Sequence, residues 1–449
     1  MTTLKAMTNE SENVSEEYER KSAILGEKYT LIHHKSGLKI YVCPKKLTGT
    51  YALFATHYGS SDNRFMLTGE NEPTAVPEGI AHFLEHKMFT EEDGSDAFEV
   101  FSALGADANA YTSYDKTVFL FNTVSNFPAC LRELLHFVTH PFFTDETVAK
   151  ERGIIAEEIR MYDDSPSSRS YYAMLDGLYK VHDIKKNICG SVESIEKITP
   201  EMLYRCHKVF YNLSNMVLAV CGDVDTREVE KIADECLTPS EPCEIIRGKQ
   251  NEPREINRAK TVQKMQVAKP LFDIGIKDSD IPSTADARMK KDIIVSIIGD
   301  LLFSQTGELY DTLYGAGLIS PGLSSSYTLS PTFGFYTISG ESDDPEKVLE
   351  IVKAYIERKK KEGFTEEEFE RCKKVFYASF VREFDSADDI TGNLVSFAFD
   401  DYDLFGYADA IFSAKREEAL RTMREFFADD MFTLSVILPI EDKKEKNND

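Results

Sequence analysis

From Tyr29 to Thr123 the chain runs through short segments in which apolar and polar residues alternate. This period of two marks half-buried strands. Tyr29-Thr-Leu-Ile-His-His34 and Gly37-Leu-Lys-Ile-Tyr-Val-Cys43 are predicted to be two strands joined by a Lys-Ser-Gly turn, and Thr50–His57 to be a third. The polar loop Gly59–Asn63 and a stretch rich in Pro, Glu and Gly follow, after which Pro77 is expected to open a helix. Ser95–Leu104 has amphipathic helical spacing and stops at Gly105. Ala106–Ser113 is small and polar, and Thr117-Val-Phe-Leu-Phe-Asn-Thr123 alternates cleanly. Helices are predicted over 129–139 and 144–161, a strand over 215–224 and a helix over 226–236.

The segment Thr238–Lys260, rich in Pro, Glu and Arg, reads as a linker, and the pattern then begins again. A strand is expected near 271–276, a helix over 286–303, strands within 324–339 and amphipathic helices from 344 to 427. The ends of the two halves match. Each runs from a helix through an aromatic turn (Phe-Tyr-Asn, then Phe-Phe-Ala-Asp-Asp) into an apolar strand, Asn215–Val220 and Met431–Val436. This is a weak internal duplication of about 220 residues. Residues 1–25 read as a loosely held leader, and the charged stretch from Glu441 as a disordered tail.

Composition narrows the class. The 449 residues are 42% hydrophobic and 29% charged, with no apolar run long enough to span a membrane, as expected of a globular protein without membrane insertion. The net charge of −25 disfavours nucleic acid and anionic lipid. Were part of that charge to line a cleft it would favour basic peptides; a solvated surface is the plainer reading. Eight cysteines are scattered without a Cys-x-x-Cys pair, which suits reduced thiols. Met1–Lys21 is polar and acidic, unlike a secretory signal or a mitochondrial presequence, so a cytoplasmic protein is expected.

The chemistry concentrates in Ala81-His82-Phe83-Leu84-Glu85-His86. Two histidines four apart project from one face of a helix, and imidazoles so placed can take adjacent corners of a tetrahedral zinc site. Glu85 lies beside the second and can reach a water on the metal. The order is the inverted His-x-x-Glu-His of the inverzincins. On the helix over 144–161, Glu151 and Glu158 stand seven apart on one face, which makes Glu158 a third ligand and Glu151 an acid holding a ligand in place. Other histidines attract the structural reading: His57 in a strand, and His136 and His140 among apolar neighbours. The segment 106–113 is either an exposed edge strand able to pair with an extended peptide or one arm of a plain hairpin.

Taken together, Ala81-His-Phe-Leu-Glu-His86, Asn109-Ala-Tyr-Thr112 and Glu157-Glu-Ile-x-Met-Tyr-Asp-Asp164 resemble, in order and spacing, the M16 family of metallopeptidases, which includes pitrilysin, insulysin and the mitochondrial processing peptidase. Within it the chain resembles the bacterial YmfH-like branch. The resemblance covers most of the chain and is densest over 77–165. It implies an α+β fold of two homologous lobes, like that of LuxS and the processing peptidase, each a mostly antiparallel sheet packed with helices. The first lobe (1–240) carries the site, 241–260 links, 261–440 is a lobe without zinc ligands, and 441–449 is a charged tail. It implies Zn2+ on His82, His86 and Glu158, Glu85 as catalytic base, Glu151 in support, and substrate pairing along Asn109, Ala110, Tyr111 and Thr112.

One departure stands out. Active members of the family carry an Arg and a Tyr in the second half, whereas the matching stretch here is Leu313-Tyr314-Gly-Ala-Gly317-Leu318-Ile-Ser320, with no Arg. Tyr314 and Tyr327 are the available substitutes. The second half also lacks histidine altogether, His207 being the last. The expectation is a zinc peptidase acting on peptides or small unfolded proteins as the catalytic member of a heterodimer whose M16-like partner supplies the Arg and Tyr, a homodimer being the variant. The rival reading is a non-catalytic, zinc-bearing subunit with an assembly or chaperone-like role.

Overall fold

The structure, a computed structural model, describes residues 15–92 and 94–440. The predicted tail from Glu441 and the first 14 residues of the predicted leader lie outside the described residues. In the first half the strands are β1 (Glu16–Ser22), β2 (Glu27–His33), β3 (Lys39–Pro44), β4 (Thr50–Thr56), β5 (Arg64–Leu67), β6 (Thr74–Ala75), β7 (Ala106–Thr112), β8 (Thr117–Thr123) and β9 (Met216–Gly222). The helices are α1 (Ile80–Met88), α2 (Ala97–Ala103), α3 (Phe127–Thr139), α4 (Asp145–Asp164), α5 (Pro166–Leu178), α6 (Val192–Ile195), α7 (Pro200–Phe210) and α8 (Thr226–Cys236). After β10 (Ile245–Arg247), the second half holds β11 (Lys260–Met265), β12 (Leu271–Asp278), β13 (Ser324–Leu329), β14 (Gly334–Glu341) and β15 (Phe432–Pro439). Its helices are α9 (Ala285–Phe303), α10 (Glu308–Gly315), α11 (Pro345–Glu362), α12 (Glu366–Arg382), α13 (Ala387–Asp400), α14 (Leu404–Ser413) and α15 (Arg416–Phe426).

The internal duplication is visible in the sheets. The first runs β1-β2-β3-β9-β4-β8-β7 and the second β11-β15-β12-β14-β13. Removing the β1–β2 hairpin leaves the same order and the same directions: one parallel pair (β3 with β9, β11 with β15), then antiparallel neighbours throughout. Both are mostly antiparallel sheets layered with helices, the α+β two-lobed architecture.

The central strands are buried on both faces, and alternation decides which core each side chain enters. Ala52, Phe54, Leu218 and Val220 point into the core of the first half, with α1 and α3. Leu53, Ala55, Val217 and Ala219 point the other way, into the larger core of the second half, where they meet Ile390, Leu394 and Val395 of α13. The exchange is reciprocal, since α5 of the first half lies on β12 and β15 of the second sheet. That contact depends on missing side chains: a Cβ on Gly275 would come within 2.7 Å of Met174, and one on Gly177 would strike Thr433 Oγ1. Each half therefore covers the other's sheet.

Three elements differ from the sequence reading. Part of the predicted leader is strand β1, because Glu16–Ser22 pairs residue for residue with His33–Glu27. The supposed loop between Gly59 and Val76 contains β5 and β6. The linker is not free: β10 pairs with β5, and Arg247 binds Asp62 at 2.8 Å and the carbonyl of His57. β1 and β6 pair with near neighbours but are polar or very short, so alternation does not announce them, and β10 finds a partner far away in sequence.

Candidate metal centre

Helix α1 starts where a tight turn allows it. Gly79 takes φ 85° at its N-cap, and Phe83 N–H closes the first turn on Gly79 O at 2.9 Å. A Cβ at Gly79 would collide with the carbonyl of Cys189, so only glycine lets the loop 187–190 lie against the helix start. Pro77 accordingly does not open the helix: the left-handed Gly79 intervenes, and Pro77 lies two residues before the cap. From there His82, Glu85 and His86 share one face of α1, all but His86 buried.

Helix α4 begins at Thr144, whose hydroxyl exchanges hydrogen bonds with Thr147, and crosses α1 so that two of its acids meet the histidines. His82 Nε2 lies 3.6 Å from Glu158 Oε1, and His86 Nε2 lies 3.3 Å from Glu158 Oε2. One donor atom from each of the three falls within 4.8 Å of the others, the one such cluster of metal-ligating side chains among the described residues. Bonds of about 2.0–2.1 Å to a tetrahedral ion would set donors about 3.3 Å apart, so the set fits a small divalent cation once donors up to 4.8 Å apart draw in around it. His86 Nδ1 meets Glu151 Oε1 at 3.1 Å, which leaves Nε2 to face a metal.

The electrostatics follow from this crowding. Burial, together with the neighbouring His86, lowers His82 to about 4. Burial works against the charged form of His86 too, but the hydrogen bonds its ring donates to Glu151 and Glu158 outweigh it and raise the imidazole to about 10. Glu158 is lowered, first by its hydrogen bond with His86. A cation replacing the proton on His86 Nε2 would meet Glu158, while Glu151 stays on Nδ1. Burial raises Glu85 to about 7, against the pull of a 2.6 Å hydrogen bond donated by Thr112 Oγ1.

That hydrogen bond ties the helix to the edge strand. β7 is the last strand of its sheet, pairing with β8 on one side (Asn109 opposite Leu120, Ala110 opposite Phe119). The segment 106–113 is thus one arm of a hairpin with β8 and at the same time the edge of the sheet. Asn109 and Ala110 line the cavity over the histidines, and Ala110 N–H donates to the Asn109 side-chain oxygen at 2.9 Å. Tyr111 and Thr112 line it too. The cavity measures about 950 Å³, and its wall is built entirely from the first half, between His82 and Cys189.

All nine residues singled out from the sequence therefore converge here. His57 does not: its ring stacks on Phe399 at 4.8 Å, and burial lowers it to about 4. His136 and His140 stack on each other, away from the cluster. Neither Tyr314 nor Tyr327 lines the cavity; Tyr314 is half exposed beside Tyr310, and the Tyr327 hydroxyl donates to Asp278 at 2.6 Å. Sequence reasoning passed over Tyr162, Tyr171, Tyr172, Cys189 and the lysines Lys87 and Lys150 of the wall. Tyr162 stands four residues after Glu158, so helical spacing alone would have found it. Cys189, whose Sγ lies 3.8 Å from His82 Nε2, arrives only through the fold.

The chain is similar to known proteins over most of its length. Residues 68–190 match the family described as insulinase (peptidase family M16), and residues 197–376 match the one described as the peptidase M16 inactive domain. The uncharacterised zinc protease YmfH of Bacillus subtilis is 36% identical over 417 residues, spanning 91% of this chain and 97% of that protein. The crystal structure of an M16-like peptidase from Alicyclobacillus acidocaldarius superposes with a TM-score of 0.88 at 32% identity, covering 92% of this chain and 98% of that one. Pitrilysin shares the fold, with a TM-score of 0.72 at 16% identity, and this chain spans 46% of its length. The chain belongs to the M16 family of metallopeptidases.

Proposed function

We propose that the protein is a zinc-dependent peptidase that hydrolyses extended peptides laid along β7, with His82, His86 and Glu158 holding the metal and Glu85 serving as the base. The observation that carries this is the 2.6 Å hydrogen bond from Thr112 to Glu85. It places a buried carboxylate beside the three ligands and at the end of the strand that a substrate would pair with.

Bound zinc supplies Lewis acidity, acidifying a water and polarising the scissile carbonyl. The chain's residues do the rest. Glu151 orients His86 through Nδ1. Asn109, Ala110, Tyr111 and Thr112 offer a free edge whose main-chain groups fix the peptide by strand addition. Glu85, raised to about 7, takes a proton from the attacking water and hands it to the leaving amine.

The second half adds nothing to the cavity wall, and the chain spans about half of pitrilysin. A second chain of the same family, closing over the cavity and supplying the absent Arg and Tyr, completes the reading; a homodimer, which would close the cavity without that Arg, is the variant. The eight dispersed, unpaired cysteines support the cytoplasm, a reducing compartment, as the site of this assembly. The same one-sided wall is what favours the rival reading, a zinc-bearing subunit without turnover. Peptide hydrolysis by the zinc-quantified chain, alone and mixed with candidate partners, separates them. Turnover that falls about 100- to 10,000-fold in Glu85→Gln, with zinc retained, is expected. Zinc without hydrolysis in every mixture would leave the non-catalytic subunit.

A further inference from the structure

Beyond the ligands, the wall of the cavity formed by the end of α1, the start of α2 and the first turns of α4 has a composition that the chemistry above does not use. Its sides are apolar: Phe89 and Phe98 stack at 4.1 Å, with Phe98 41% exposed, and Ile154 stands opposite, 49% exposed. Set among them are two lysines. Lys87, next to His86 in sequence, is only 2% exposed, and its Nζ has a single long hydrogen bond, 3.3 Å, to Thr90 Oγ1. Lys150, one residue before Glu151, lines the same wall and is exposed. Among the described residues neither forms an ion pair. Two carboxylates share the wall, and both are engaged: Glu151 with His86, and Asp96 with the amide of Phe98 at the α2 cap.

A buried ammonium with one weak partner is costly, and a carboxylate delivered by a ligand would repay the cost. Its placement also runs against the charge of the molecule. In a chain of net charge −25, this stretch of the cleft presents cations beside the metal cluster.

We propose that Lys87, supported by Lys150, forms a specificity subsite that takes a carboxylate of the peptide substrate, its methylenes lying between Phe98 and Ile154. The carboxylate is an acidic side chain near the scissile bond or the peptide's own C-terminus. The proposal rests on the peptidase reading and specifies its substrate class.

The test uses the full-length, zinc-loaded chain and neutral peptides in which one glutamate is scanned along either side of the scissile bond. Each peptide is paired with its glutamine counterpart and made with a free or an amidated C-terminus. One position is expected to favour the carboxylate in kcat/KM by about 10- to 100-fold, the range of a charge-assisted hydrogen bond. Lys87→Met should bring that ratio close to one, and Lys150→Gln should reduce it severalfold. Should Lys87→Met not fold, the exposed Lys150→Glu must still lower the ratio. Preference that survives amidation identifies a side-chain carboxylate; preference confined to free C-termini identifies the terminus. Neutral peptides cut as fast as acidic ones would overturn the subsite and leave the peptidase standing. For the separate case of no turnover, binding to the Glu85→Gln chain is measured. Tighter binding of the acidic peptide, lost in Lys87→Met, would keep the subsite while the peptidase reading falls; equal binding would overturn the subsite.

Discussion

Helices α1 and α9 occupy the same place in the two halves, each between the central strand and the edge strand of its sheet, yet they hold opposite contents. α1 turns His82, Glu85 and His86 toward a cavity. α9 buries Ile293, Ile294, Val295, Ile297 and Ile298, and no histidine follows it. The strand order is shared and the chemistry is not. A duplicated frame is held by its core, which tolerates any side chains of suitable size on the facing helix, whereas a metal site needs four groups at fixed positions. Once one copy supplies the ligands, the other is free to become packing. In return the second half gives the first something else: α13 covers the back of the sheet that carries the site.

The sharpest way to break the comparison is to remove a ligand from the first copy. Glu158→Gln should abolish stoichiometric zinc, measured by metal analysis, and cost hydrolysis more than about 1000-fold, while the fold measured by circular dichroism stays intact because the second core is untouched. A smaller effect is expected one layer out. Glu151→Gln keeps the side chain's shape but loses its charge toward His86, and should weaken zinc binding by about 10- to 100-fold in a chelator competition.

The interlock of the halves can be tested without touching the site. Gly177→Val would drive a side chain into Thr433, and should cost about 1–3 kcal/mol in denaturant unfolding. Because α5 and α13 are exchanged, both halves should unfold in one transition at the lower midpoint. Separate transitions would show that the exchange does not couple them.

The smallest effect concerns an acid in α9 itself. Asp292 is half-buried, and desolvation of its carboxyl raises it to about 6 despite a 2.7 Å hydrogen bond from Tyr407. Its folded pKa lies above its unfolded value. The folded state therefore holds the proton more tightly, and stability is lost as pH rises from about 4 through about 6. Asp292→Asn removes that loss. It should match the parent chain near pH 4 and exceed it at pH 8 by about 1–3 kcal/mol in unfolding experiments.

Much of this was legible in the residues. The His-x-x-Glu-His order and the seven-residue spacing of Glu151 and Glu158 are local helical geometry, so the sequence alone placed each set on one face. Long, strongly periodic helices and alternating strands were equally readable, and the paired ends of the halves revealed the repeat. What the sequence left open were contacts between distant segments. Nothing local says that β5 and β10 pair with each other, that Thr112 will spend its hydroxyl on Glu85, or that Tyr314 and Tyr327 face elsewhere. The run His86-Lys87 carries no sign of which way the lysine turns. Only the crossing of α1 and α4, set by packing on the sheet, brings Glu158 to the histidines and leaves Lys87 buried beside them. Periodicity determines which side of an element a residue occupies; what stands opposite depends on how the elements pack, and that is where the metal cluster and its charged wall were decided.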